Sequence, residues 1–234
     1  MIYFIKRLIS TIPVLLGVTT ITFMLIHFVP GDPVDIMLGD QATVADKAIL
    51  RHELGLDQPL AAQYGLFWQG LVRFDLGRSL QSKRPVSEEI LERIPATVEL
   101  TFAAMLLAMS IGIPLGVFAA VKKHTIFDRG IMLWGMLGMS TPGFFLGPML
   151  ILIFAIKLDL LPVSERGDFS HLILPALTLA SGLSSILMQT TRASMIDVVK
   201  EDYIRVAKAK GLRPTILYFK HALANALMPV ITIV

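Results

Sequence analysis

Of 234 residues, 54% are hydrophobic and only 17% charged, against about 25% charged in an ordinary soluble domain. That balance excludes a conventional soluble domain. The net charge is +3 and there is no cysteine, which excludes a disulfide framework, a thiolate metal site and a cysteine nucleophile.

The missing charge is concentrated in four runs without Asp, Glu, Lys or Arg: residues 8–29, 100–121, 130–156 and 172–191. Each is about long enough, at ~1.5 Å per residue, to cross a ~30 Å hydrocarbon core as a helix. Each is too long for a barrel strand of roughly 9–11 residues. In lipid every backbone polar group must be satisfied internally. The expected fold class is therefore an all-α, polytopic membrane protein. The first run follows Lys6 and Arg7 and exceeds the ~7–15-residue apolar core of a signal peptide, so it reads as a retained helix. His27 is alone near its end and reads as an interfacial or packed residue.

The linker over 30–95 carries turn signals at Gly31-Asp32-Pro33 and Phe74-Asp75-Leu76-Gly77. Between them, Leu60, Tyr64, Phe67, Trp68 and Leu71 recur at helical spacing, which predicts an interfacial amphipathic helix over 59–74. Residues 87–94 read as a second short helix, with Ser87 as its N-cap and Pro95 as a breaker. In the later runs, Gly112-x-x-x-Gly116 and Gly143-x-x-x-Gly147 permit close helix approach; packing within the chain is favoured over a dimer seam. Pro114, Pro142 and Pro148 allow kinks.

Three short segments hold twelve of the 21 basic residues: the N-terminal tail, the 122–129 linker and the stretch after the fourth run. Only four acids accompany them. The bias of Lys and Arg places these segments in the cytoplasm. Residues 222–234 are apolar but reach only about 20 Å, which reads as a fifth membrane helix that is cut, the alternative being a re-entrant or interfacial end.

The stretch 202–214 is a good helix former ending at Gly211, which suits a helix stop. Pro214 suits the first turn of a second helix. Two short helices thus meet at a Gly-centred corner, with Ala207 and Gly211 clearing a close-approach surface and Lys208, Lys210 and Arg213 around it. The residues alone fit two roles equally: a knob for a groove on a soluble partner, or a basic helix resting on anionic lipid.

This stretch, with the one after it, resembles the coupling loop of binding-protein-dependent ABC importer permeases, in particular the dipeptide/oligopeptide/nickel permease family. The subfamily pattern is intact in Asp202-Tyr203-x-Arg205-x-Ala207-x-Ala209-Lys210-Gly211-Leu212 and in His221-Ala222-Leu223-x-Asn225-Ala226-Leu227-x-Pro229. Against the general Glu-Ala-Ala…Gly…Leu-Pro pattern the match is partial. Arg205 stands in place of the Glu, Val206 in place of the first Ala, and Ala224 in place of the Pro. The resemblance continues through Pro30-Gly31-Asp32-Pro33, 54–60, 75–79, Pro85-Val86, 93–97, Ser140-Thr141-Pro142 and 172–179.

The resemblance implies a type I ABC importer transmembrane fold, here ending within the fifth of six expected helices. It implies a cytoplasmic tail and first helix over 1–29, an extracytoplasmic linker domain over 30–96, and an incomplete core over 97–234 with its coupling loop at about 197–222. The implied activity is ATP-driven import of di- or oligopeptides by a permease in the inner membrane, N-terminus cytoplasmic; nickel or glutathione are alternative cargoes. The implied partners are a second homologous permease subunit, two ABC ATPase subunits that bind ATP and Mg, an extracytoplasmic solute-binding protein and membrane lipid. Nothing points to nucleic acid or to a cofactor on this chain. Asp202, Tyr203, Arg205, Ala207, Ala209, Lys210, Gly211, His221 and Asn225 are the implied ATPase-coupling residues. Ser140, Pro142 and Pro175 are candidates for the pathway or its gating.

A membrane-embedded enzyme, or a proton-coupled transporter, would need ionisable groups at membrane depth, and the four runs hold no acidic or basic side chain beyond His27. A passive anchor explains the helices but not the corner. His52, His124, His171 and His221 are scattered and suggest no metal site. The topology predicts that cysteines at positions 123 and 208 are shielded from an impermeant thiol reagent in intact cells and that one at position 57 reacts. Labelling of position 208 from outside would refute it.

Overall fold

The computed structural model describes residues 2–28, 31–39, 42–163 and 165–233; Val29, Pro30 and Val234 of the motifs and runs above lie outside the described residues. Among the described residues there is no strand, only an isolated bridge between Arg78 and Pro85. The chain divides into two compact units, Met1–Arg93 and Ile94–Val234.

In the first unit, apolar side chains around the whole circumference make a single helix, α1 (Ile2–Phe28). None of its 23-residue apolar span is buried by protein, as expected of a helix whose solvent is lipid. Lys6 and Arg7 lie inside it. The linker is more ordered than its turn signals suggest. Asp32 caps α2 (Pro33–Leu38) by accepting the Val34 N–H, with Pro33 in the first turn. Thr43 and Asp46 form a reciprocal capping box on α3 (Val44–Glu53). Lys47 reaches Asp35 at 2.8 Å, and Arg51 pairs with Asp32. The Val34 N–H first, and then Arg51, hold the Asp32 carboxyl below the usual carboxylate range.

The predicted amphipathic helix is α4 (Leu60–Val72). It is tied to α1 by its aromatic face: Phe23 lies 5.2 Å from Tyr64 and 5.6 Å from Phe67, ring centre to ring centre. The Thr20 and Tyr64 hydroxyls are 2.7 Å apart, and His27 Nε2 is 3.0 Å from Gln63 Oε1. His27 is exposed, and these contacts, with the Phe23 ring 4.4 Å away, hold it against α4 and its own helix.

The separate short helix expected over 87–94 does not form. One helix, α5 (Val86–Val121), runs through Pro95 and Pro114, and Ser87 lies within its first turn instead of capping it. A proline removes one N–H and crowds one carbonyl, whereas ending a helix strands four groups at each terminus. Continuing the helix is the less unfavourable choice.

The third run also departs from expectation. It forms α6 (Ile126–Ser140) and α7 (Gly143–Leu150), the latter continued by wide π-type turns over Ile151–Lys157, with a bend of 100° between the two halves. The cause is Pro142, which drives the preceding residue out of the helical region. Thr141 is extended at φ −85°, ψ 113°, and its N–H and Oγ1 both turn back to the Leu137 carbonyl at 3.0 and 2.7 Å. Among the described residues three helices are long and apolar enough to cross a membrane, or up to four spans with the bent pair taken as one.

The core of the second unit is the seam between α5 and α8 (Phe169–Val198). A Cβ at Gly112 would lie 2.6 Å from the Ser184 carbonyl oxygen, and one at Gly116 2.6 Å from that of Met188 and 2.7 Å from Thr191 Cβ. The Gly-x-x-x-Gly spacing therefore packs within the chain. Ala108, Ala180, Leu187 and Val230 form one buried cluster along the bundle. Val117, Met195, Ile204, Leu217, Ala222 and Ala226 form another.

Gly116→Val should weaken this seam by about 1–3 kcal/mol, the usual range for overpacking. Gly130→Ala should stay within about 0.5 kcal/mol, because nothing lies within 4 Å of its Cβ position. Thermal unfolding of the two variants in detergent checks the difference.

Candidate functional site

The corner predicted at Gly211 is present, and main-chain hydrogen bonds fix its shape. The short helix α9 (Asp202–Ala209) ends with Lys210 as its C-cap. Gly211 follows at φ +78°, a conformation that costs a residue with a Cβ about 1 kcal/mol or more. The Gly211 N–H donates to the Lys208 carbonyl at 3.0 Å, and the Leu212 N–H donates to the Ala207 carbonyl at 3.4 Å. This pair of bonds is the Schellman closure of a helix end. Ala207 thus contributes its carbonyl as well as its small side chain. The Gly211 Cβ position faces open space, so the left-handed backbone, not crowding within the chain, requires glycine there.

Beneath the corner lies a buried foundation. Ile204 is 2% exposed and packs with Val117 of α5, Met195 of α8 and Leu217. Ala207 is half-buried against the same cluster, while Arg205, Lys208, Ala209 and Lys210 face outward. Asp202 and Arg205 form an exposed ion pair at 3.3 Å.

The helix that begins at Pro214 is longer than the short one expected. It passes through π-type turns over Ile216–Ala222, where His221 sits half-buried, into α10 (Leu223–Ile231). The buried residues Leu217, Ala222, Ala226 and Val230 are spaced five, four and four apart. An inserted residue in the wide turn keeps them on one face. Asn225 Nδ2 donates to Tyr203 Oη at 2.6 Å, so two motif residues 22 positions apart clasp α9 to α10.

The pathway candidates separate. Pro175 lies in α8 and lines a cavity of about 430 Å³ together with Gly147, Ile151, Glu165, His171 and Thr178. Ser140 and Pro142 flank the break between α6 and α7, and it is Thr141, between them, that lines a second cavity of about 250 Å³ with Trp134, Ser181, Ser184 and Ser185. The sequence reading did not single out these serines. Each donates its proton to a carbonyl one turn back, at 2.8–2.9 Å, which leaves oxygen lone pairs as acceptors. The second cavity is lined by no ionisable side chain. No group of three or more His, Cys, Asp or Glu suited to a metal occurs among the described residues.

The second unit is a bundle of apolar helices that carries an exposed corner on a buried foundation. The chain belongs to the binding-protein-dependent transport system inner membrane component family, whose profile matches residues 112–234. Residues 1–101 match the N-terminal region of such membrane components. The chain is 42% identical over 230 residues to a protein of Pectobacterium atrosepticum named glutathione transport system permease protein GsiC. It is 41% identical to the GsiC of Salmonella typhimurium and 40% identical to that of Escherichia coli K12. Each alignment covers 98% of this chain and 75% of the relative. The chain is therefore an inner-membrane permease subunit of an ABC importer of the peptide, nickel and glutathione type, and not a catalytic subunit. As a component of a binding-protein-dependent system, it works with a binding protein and ATPase components.

Tyr203→Phe removes one hydrogen bond, worth about 1 kcal/mol, without altering any charge. Amide hydrogen exchange over residues 202–212 should accelerate several-fold, since 1.4 kcal/mol is about a factor of 10. Unchanged exchange would mean that the clasp does not hold α9.

Proposed function

We propose that the Gly211 corner is the surface through which ATPase subunits drive this permease, and that the cargo is a small peptide. Glutathione, itself a tripeptide, is the leading candidate, because the similar permeases carry its name. In this reading the N-terminus and the corner face the cytoplasm, where the segments rich in Lys and Arg belong. The chain pairs with a second homologous permease subunit. Two ATPase subunits hold ATP and Mg, and a loaded binding protein docks on the opposite face. This chain binds no cofactor.

One observation carries the coupling reading: the exposed, backbone-closed corner stands directly on Ile204, which packs against the ends of two spanning helices. A partner that closes on ATP can bias the permease only through contacts that differ between its states. A rigid knob seated on the ends of α5 and α8 transmits such a contact, whereas a loose basic loop would absorb it. The cavity beside the α6–α7 break, mostly apolar but bearing the hydroxyls of Thr141, Ser181, Ser184 and Ser185, supports a path for a peptide. It offers hydrogen-bond acceptors to amide N–H groups but no charge to trap the cargo, and passage requires binding weak enough to leave.

Gly211→Leu should abolish co-purification of the ATPase subunits and the ATP hydrolysis stimulated by the loaded binding protein, while membrane insertion is unchanged. Lys208→Ala should have little effect, since an exposed ion pair contributes about 0–1 kcal/mol. If the segment merely rests on anionic lipid, the pattern reverses, because each basic residue then contributes about 1 kcal/mol and the glycine nothing. For the cargo, uptake of labelled glutathione should be competed by small peptides and not by nickel; competition by nickel alone would overturn the peptide assignment.

A further inference from the structure

The sequence reading left one buried group without a role. Asp128 lies two residues before the uncharged run 130–156, and Arg192 immediately follows the run 172–191. The fold brings these two run ends together. Asp128, 3% exposed, receives Arg192 Nε at 2.6 Å and Nη2 at 2.8 Å, one to each carboxylate oxygen. The same carboxylate accepts the His124 N–H at 2.9 Å, and His124 holds a left-handed φ of +65° in the turn between α5 and α6. Thr125 caps the start of α6. A single carboxylate thus fastens the α5–α6 turn, through its backbone, to α8.

Arg192 stands one helical turn before Met195, which packs against Ile204 beneath the corner. At its other end α6 stops at the Thr141-Pro142 break, where Trp134, Leu137 and Thr141 line the second cavity. A buried ion pair is weak evidence for stability, since apolar residues of similar volume often serve as well. A bidentate guanidinium–carboxylate pair does fix orientation.

We propose that the Asp128–Arg192 pair is a positioning element of the transport cycle. It makes the α5–α6 turn and the end of α8 one body, so that displacement of the Gly211 corner is carried along α6 to the cavity at its far end. The proposal rests on the coupling reading of that corner.

The test uses the assembled importer in proteoliposomes, with this permease, its partner permease, the ATPase subunits and the binding protein, all other cysteines having been replaced. The double variant Asp128→Leu with Arg192→Met should assemble and hydrolyse ATP, while uptake per ATP falls about tenfold, within the usual span of a coupling effect. Asp128→Cys with Arg192→Cys should show the same deficit when reduced, and a short bifunctional thiol cross-linker should restore uptake. Normal uptake per ATP in both uncrosslinked variants overturns the proposal. So does a block imposed by the cross-link, which would mean that the pair opens during the cycle, and so does failure of the apolar variant to assemble, which would leave a purely architectural role. Gly211→Leu serves as the reference. If it still severs the ATPase subunits while the Asp128 variants transport normally, only this proposal fails. If it does not, the coupling reading itself fails.

Discussion

The contact on which the second unit depends is the close approach of α5 and α8 at Gly112 and Gly116. In lipid, helices gain nothing by hiding apolar side chains from one another, so van der Waals contact between backbones must hold them together. Two glycines one turn apart bring the α5 backbone against the carbonyls of Ser184 and Met188. The tightness has a consequence: Thr191 Oγ1, at the same seam, is buried without a hydrogen-bond partner, a loss of about 1–3 kcal/mol that the interlocked backbones must offset. The seam continues through Val117 and Met195 to Ile204, so the foundation of the corner is the extension of the bundle core and not a separate feature.

The spans and the corner were legible in the sequence because each rests on a local rule. An absence of charge over twenty residues has one explanation, and a glycine at the end of a short helix has few. The face of α4 was legible for the same reason, its aromatic residues recurring at the helical period. Where the reading failed, the deciding interaction was either too local or too distant. Asp32-Pro33 reads as a turn although it is a cap followed by a first-turn proline, and Thr43 with Asp46 spells a capping box within a stretch that otherwise looks like a loop. Pro95 reads as a stop, but whether a proline ends a helix or lies within one depends on what the freed carbonyl meets. Pro142 does break its run, and the reading of 130–156 as one straight crossing gave it too little weight.

The candidate site divides in the same way. Main-chain hydrogen bonds join Gly211 to Lys208 and Leu212 to Ala207, over separations of three and five residues, a distance over which sequence rules work. The Tyr203–Asn225 bond and the Asp128–Arg192 pair span 22 and 64 positions, and no spacing rule reaches that far. The five-residue step from Leu217 to Ala222 defeats a search for helical periodicity, because the wide turn shifts the phase midway. Among the pathway candidates, Pro142 marks where the chain bends, but the second cavity is lined by Thr141 beside it and by serines of α8, which sequence alone does not distinguish from helix filler.

The corner closes by bonds from N–H groups to carbonyls. Its outline is therefore indifferent to the side chains at positions 205, 208 and 210, which all point outward. Arg205, standing where the wider importer pattern has an acid, replaces one lettering with another on the same form. On the coupling role proposed for this corner, a cell that runs several importers side by side needs its ATPases to recognise their own permeases despite a shared shape. A pin fixed in its backbone and free in its surface chemistry would let such pairs drift apart in identity without any change in the mechanics of the stroke.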